Sequence, residues 1–271
     1  LYSTPVQTKD FTFDLNINLS RNVSKVKELA DGVDYLFFNG DANFPINVGT
    51  RVGHRLGEIY AKNLYKRDEN GNMIVNKQGR PTKVSGEDAF QYTLDHPIGN
   101  IEPDLLMSVS PSFTYKGFTL SALFDMKFGG DIVSVSEAMA TSTGLAARTA
   151  NRGNAENGWK IVAPGVTADG TVNSTAMNAQ RYYTSMSGMA EEFVYDASFI
   201  KLKELSLGYS FPKSILKKTP LTSLNVAFVA RNLAYLMKHT PGTSPEGGYD
   251  TSMFSQAIDY MSVPYTRTFG L

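Results

Sequence analysis

The chain has 271 residues, equal numbers of basic and acidic side chains for zero formal net charge, and no cysteine. Balanced charge removes the electrostatic footing for a nucleic-acid partner, which needs a basic face. The missing thiols exclude disulfides, thiolate metal sites and cysteine nucleophiles, and no run approaches the roughly 18 apolar residues of a membrane-spanning helix.

Residues 9–20 give the clearest strand. Phe11, Phe13, Leu15, Ile17 and Leu19 alternate with Thr12, Asp14, Asn16, Asn18 and Ser20, so one face is apolar and the other polar. Its length, about ten residues, suits a tilted strand crossing a bilayer. A polar turn at 21–24 precedes a return beginning at 25–29. Another strand is expected at 56–65, and Asp68-Glu69-Asn70-Gly71-Asn72 is a turn signal. Residues 105–115 and 118–128 form the best hairpin, closed tightly by Lys116-Gly117, with Pro111 arguing for a bulge in its first strand.

Residues 129–192 are long, polar and rich in Gly, Asn, Ser, Thr and Ala, with a helix expected at 133–147. In 199–211, Leu205, Leu207, Tyr209 and Phe211 alternate with Glu204, Ser206, Gly208 and Ser210 before Pro212 ends the ladder. Alternation resumes at 224–230, and another long loop, 238–261, precedes a final strand. Long and tight connections therefore take turns in the second half, as in outer-membrane barrels. About nine strands are counted. An up-going strand is needed between 66 and 100, where only the short stretch 72–75 offers one. Leu1 opens without a leader, and Leu271 stops inside an alternating pattern, so the chain reads as a piece of a longer polypeptide.

Unbroken alternation puts Lys201 and Lys203 on the side of Leu205 and Leu207, which requires both to stand above the hydrocarbon, on the extracellular side. The lumen side would carry Thr119, Ser121, Asp125, Lys127, Asn225 and Arg231, with Asp125 and Lys127 neutralising each other. Tyr115, Tyr209, Phe211 and Tyr265 fall where an interfacial aromatic girdle would lie, although aromatics favour strands in any setting.

The stretch Asp-Ala-Ser-Phe-Ile-Lys-Leu-Lys-Glu-Leu-Ser-Leu-Gly-Tyr-Ser-Phe-Pro, ending at Pro212, resembles the signature near the C-terminus of SusC/RagA-like TonB-dependent outer-membrane transporters of Bacteroidota. Four further stretches resemble that family in order: 4–26, 52–72, 98–132 with its Phe-Gly-Gly-Asp ending, and Ala-Arg-Asn-Leu-Ala-Tyr-Leu from Ala230. The resemblance implies that residues 1–271 are the C-terminal part of a 22-stranded antiparallel transmembrane β-barrel. The plug and the TonB-binding segment would lie outside this chain. It further implies import of a glycan, or of a peptide, driven through TonB, with a SusD-like surface lipoprotein as partner and outer-membrane lipid around the wall. The final strand stops short of the family's aromatic end. The turn at Gly71 lacks an EF-hand's closing Glu, since position 77 is Lys, so no calcium is expected there.

No nucleophile elbow, phosphate loop or dinucleotide fingerprint is present, and His54, His96 and His239 have no paired metal spacing. No cofactor, metal or catalytic residue is assigned. Binding is the better prospect: Trp159, Tyr182 and Tyr183 share the long second loop, where aromatic faces stack on sugars or anchor a partner, or else form the loop's own small core. The rival class is a soluble or surface β-rich glycan-binding or adhesion module, which would hide its apolar strand faces between two sheets. A passive porin is a third reading, which the family resemblance disfavours.

Overall fold

The computed structural model describes residues 1–39, 45–217, 219–249, 252 and 255–271. Seven strands form one antiparallel sheet in unbroken sequential order: β1 (Tyr2–Gln7), β2 (Phe11–Ser20), β3 (Leu105–Tyr115), β4 (Phe118–Phe128), β5 (Phe199–Ser210), β6 (Asn225–Lys238) and β7 (Thr268–Gly270). Three connections, residues 8–10, 116–117 and 211–224, are short and lie at one end of this wall. The excursions 21–104, 129–198 and 239–267 all lie at the other. That one-sidedness is the arrangement of an outer-membrane barrel wall, with tight periplasmic turns and long extracellular loops.

Register fixes which side chains share a face. Phe13 pairs with Phe113, Ile17 with Val109 and Leu19 with Met107; Leu120 pairs with Phe113 and Leu207, and Leu207 with Phe228. Paired residues project to the same face, so these make one continuous apolar band. The rings of Phe13 and Phe113 stack at 4.7 Å. Leu207 is 52% exposed, Phe228 47% and Leu120 44%. A sandwich would bury these same residues, so the soluble alternative is overturned. At the tight-turn end, Phe118 and Tyr209 pack tilted at 4.4 Å and Tyr209 and Phe211 edge to face at 4.9 Å, and Tyr115 beside them is half exposed. Lys116 and Gly117 both adopt positive φ, the twist a two-residue hairpin needs. A Cβ on Gly117 would lie 2.9 Å from the carbonyl of Ser210.

Three expectations are corrected. The wall has seven strands among the described residues, where the sequence pattern counted about nine. Residues 25–29 form no strand, and 56–65 contribute Glu58–Ala61 and Asn63–Tyr65 to small separate sheets. No up-going strand is needed between 66 and 100, because Ser20 pairs with Leu106 and the chain leaves and re-enters the wall side by side. β1 was missed because Pro5 interrupts its alternation; its ladder to β2 shifts register between Ser3 and Val6. Pro111 makes no bulge, since its strand keeps register with both neighbours and Pro111 sits opposite Leu15.

The buried core lies above the wall. The excursions fold over one another around Ile46, Val48 and Ile59 from the first, Val133, Met177, Tyr182, Tyr183 and Phe193 from the second, and Ile258 from the third. Helices α1 (Glu87–Asp95), α2 (Val135–Thr143) and α3 (Ala179–Met186) belong to this layer. Strand Asp131–Ser134 pairs in parallel with Ile258–Asp259, and the Ser134 hydroxyl donates to the Asp259 carboxylate at 2.7 Å while capping α2. Arg67 pairs with Glu191 at 2.8 Å, tying the first excursion to the second.

Candidate functional site

The polar side chains lie on the face opposite the apolar band, termed the inner face. Thr119 stands opposite Thr114, Ser121 opposite Ser112 and Ser206, and Asn225 opposite Ser210. The β4–β5 ladder runs in register from Phe118–Tyr209 to Leu123–Glu204 and resumes at Phe124–Leu202, leaving Lys203 as one extra residue. This bulge flips the parity of everything above it. Ile200 and Leu202 now share the apolar face with Phe124 and Met126, while Lys201 shares the inner face with Asp125. The expectation that both lysines occupy the outer face above the hydrocarbon is thereby replaced. The signal was legible, because the apolar series 200–202 and 205–207–209 are out of phase by one residue.

Charge on the inner face is paired across strands. Lys203 Nζ donates to Asp125 at 2.6 Å, and Arg231 Nε to Glu204 at 2.7 Å. Asp125 therefore pairs with Lys203 rather than with Lys127, which lies in the field of Asp131 and Asp196.

Where wall meets outer layer, Lys201 is 3% exposed. Its ammonium donates to Glu246 at 2.6 Å and sits 4.5 Å from the centroid of Tyr265 and 5.1 Å from that of Tyr235. The Tyr235 hydroxyl donates to the same Glu246 carboxylate and bonds Ser244 at 2.8 Å. An ammonium removed from water needs such a partner and such ring faces, so this cage ties the third excursion to the wall. Tyr265, expected in the girdle, is part of it. A cleft of about 600 Å³ opens beside the cage, between Asp125, Lys127 and Phe199 of the wall and Ile101, Glu102 and Glu246 of the layer. Sequence pattern did not indicate Lys201 or Glu246 as partners, because they are distant in the chain.

The aromatic candidates separate. Tyr182 and Tyr183 on α3 are 7% and 8% exposed, packed edge to face at 5.1 Å within the layer's core. Burial pushes the Tyr182 hydroxyl up to about 12, and the Tyr183 hydroxyl donates to the carbonyl of Arg148 at 3.0 Å. Their ring faces are buried, so of the two readings the sequence left open, an exposed platform or the loop's own core, these two fit the core. Trp159 is 50% exposed and holds a positive φ of 57°. Arg148 gathers Glu192 at 3.1 Å and the Tyr195 hydroxyl at 2.8 Å; burial pushes that hydroxyl up to about 12. Burial likewise raises the carboxyl of Glu137 beside Arg148. The Asp68 carboxylate is spent on its own turn, accepting from the backbone N–H of Asn70 and Asn72 and from the Asn72 side chain.

No family model matches the chain. TonB-dependent receptor P3 of Formosa agariphila is 27% identical over 287 residues, a match covering 99% of this chain and 27% of that protein. TonB-dependent receptor SusC of Bacteroides thetaiotaomicron is 26% identical over 274 residues, covering 95% of this chain and 24% of that one. Among solved structures, the RagAB peptide importer in its open-open state superposes with a TM-score of 0.62 at 19% identity, over 99% of this chain and 27% of the other. The chain is SusC/RagA-like. It folds as a segment of a transmembrane β-barrel, and its place is the outer membrane. This SusC/RagA-like segment spans about a quarter of the length of the curated relatives it matches.

Proposed function

We propose that this SusC/RagA-like chain supplies wall and extracellular vestibule to an outer-membrane importer that takes up an oligosaccharide. Import is energised through TonB, and a SusD-like surface lipoprotein is the partner over the folded excursions. The observation that carries the reading is the two-sidedness of the wall. One face is a bare apolar band, the other is threaded by the pairs Asp125–Lys203 and Glu204–Arg231, and every long excursion stands at one end. Such a wall moves a solute past itself and makes or breaks no bond. Trp159, exposed on the outer layer, is the aromatic ring offered to ligand or lipoprotein. A peptide cargo is the second reading, supported by the fold's likeness to the RagAB peptide importer.

The test is uptake of labelled oligosaccharide by cells carrying the full-length receptor, with and without TonB and the proton-motive force. Uptake lost on removing either supports active import. Uptake indifferent to both would make the barrel a passive pore.

A further inference from the structure

A second cleft, of about 680 Å³, lies in the outer layer between the turn at residues 76–80 of the first excursion and helix α3 of the second. Two guanidinium groups, of Arg80 and Arg181, line it, and no acidic residue does. In a chain of zero net charge, that is a local excess of two positive charges. The Arg80 Nε donates to the Ser185 hydroxyl at 3.2 Å, tethering this guanidinium across the cleft to α3. The Arg181 side chain makes no hydrogen bond or ion pair among the described residues.

Four carboxamides, of Asn76, Gln78, Asn178 and Gln180, and the hydroxyls of Thr184 and Ser185 complete the polar lining. Two of the carboxamides have fixed orientations, because their oxygens are claimed by backbone donors. Asn76 Oδ1 accepts from the N–H of Gln78 at 3.0 Å and of Arg80 at 3.1 Å, and Asn178 Oδ1 accepts from the N–H of Arg181 at 3.1 Å. A backbone N–H needs an acceptor, which leaves the NH₂ group of each amide over as a donor. The fixed groups of the cleft therefore offer donors and positive charge, with the Asn76 oxygen fully engaged and the Asn178 oxygen half engaged. Guanidinium forks match carboxylate and sulfate oxygens in planar pairs. Gln78, Gln180 and Thr184 add groups that both give and take bonds with hydroxyls, and Met177 is the one large apolar side chain present.

We infer that this cleft binds an anionic oligosaccharide through its carboxylate or sulfate groups, held by Arg80 and Arg181. The inference rests on the proposed function in naming the charge of the imported sugar. The polar lining favours a hydroxyl-rich ligand over an acidic peptide.

The test is calorimetric titration of the purified full-length receptor in detergent with four probes: tetragalacturonate, a sulfated carrageenan tetrasaccharide, maltotetraose and tetraglutamate. Saturable binding of either anionic sugar is expected, the carboxylated and sulfated probes telling the two anions apart. The Arg80→Gln/Arg181→Gln variant should weaken that binding at least tenfold and shift maltotetraose binding less than twofold. Both arginines are exposed, and heat-modifiable gel mobility checks that the variant barrel is folded. Absence of binding by both anionic sugars, a variant that binds them as the parent does, or tighter binding of tetraglutamate would each overturn the inference. Titration requires no TonB, so failure here is separate from failure of TonB-dependent uptake.

Discussion

Leu207 and Ser206 are adjacent in β5 and face opposite sides, which makes them a matched pair for testing the wall. Leu207 lies in register between Leu120 and Phe228, on the apolar band one rung above Tyr209, and is half exposed; Ser206 lies between Ser121 and Val229 on the inner face. Leu207→Arg places a cation in hydrocarbon one rung above the aromatic cluster, between the mid-bilayer and interfacial cases, at about 1–2 kcal/mol, which converts to roughly a 5- to 30-fold loss in the insertion equilibrium. Ser206→Arg adds the same side chain on the wetted face, next to Glu204 and its partner Arg231, and should cost within about 1 kcal/mol. Full-length receptor carrying each change would be followed by the fraction showing heat-modifiable mobility in outer-membrane preparations. Leu207→Arg should lose most of the folded species and Ser206→Arg little. Equal losses, or a larger loss for Ser206→Arg, would refute the assignment of lipid and lumen faces and, with it, the barrel.

Lys201→Met leaves Glu246 without its ammonium and should release the third excursion, at roughly 3 kcal/mol, the low end for a broken buried pair because Glu246 keeps some access to water; hydrogen exchange should quicken over 244–249, and unchanged protection there would remove the tether. Tyr182→Ala or Tyr183→Ala should each destabilise the outer layer by about 3–5 kcal/mol, as deletion of a packed ring does, seen as protease sensitivity of 129–198. Trp159→Ala should leave protease resistance intact while weakening capture of ligand or lipoprotein, and unchanged capture would leave the exposed ring without a role. Gly117→Ala should slow assembly and lower the temperature of barrel unfolding, since its positive φ and the nearby Ser210 carbonyl leave no place for a methyl group; an unaffected transition would mean the hairpin relaxes freely.

How legible each part was follows from the range of the forces that set it. Strands β2, β3 and β4 could be read directly, because a wall wet on one side and oily on the other writes its period of two into every residue. β1 was hidden by Pro5 and by the polar residues around it. The bulge at Lys203 was written in the sequence as a slip of phase, yet continued alternation masked it, and the masking sent Lys201 to the wrong face. Residues 56–65 alternate much as a wall strand does, and only the pairing of Ser20 with Leu106 shows that they never return to the wall. The outer layer was illegible for a different reason. Its core is drawn a few residues at a time from segments far apart, Ile59, Phe193 and Ile258 among them, so no single window carries its hydrophobic signal. The tyrosines of α3 could be read as open rings or as core for the same reason: what covers them comes from elsewhere.

That shared core has a bearing on how the outer layer can vary between related chains. Because the excursions stack on common side chains and are stitched by Glu191 to Arg67 and by Asp259 to Ser134, none is a detachable module. Grafting a single loop from a cousin would expose half of a packed seam, whereas exchanging the set together would carry its mutual fit along. Selectivity in this architecture should therefore diversify by concerted turnover of the whole canopy, with the strands beneath it left as they are.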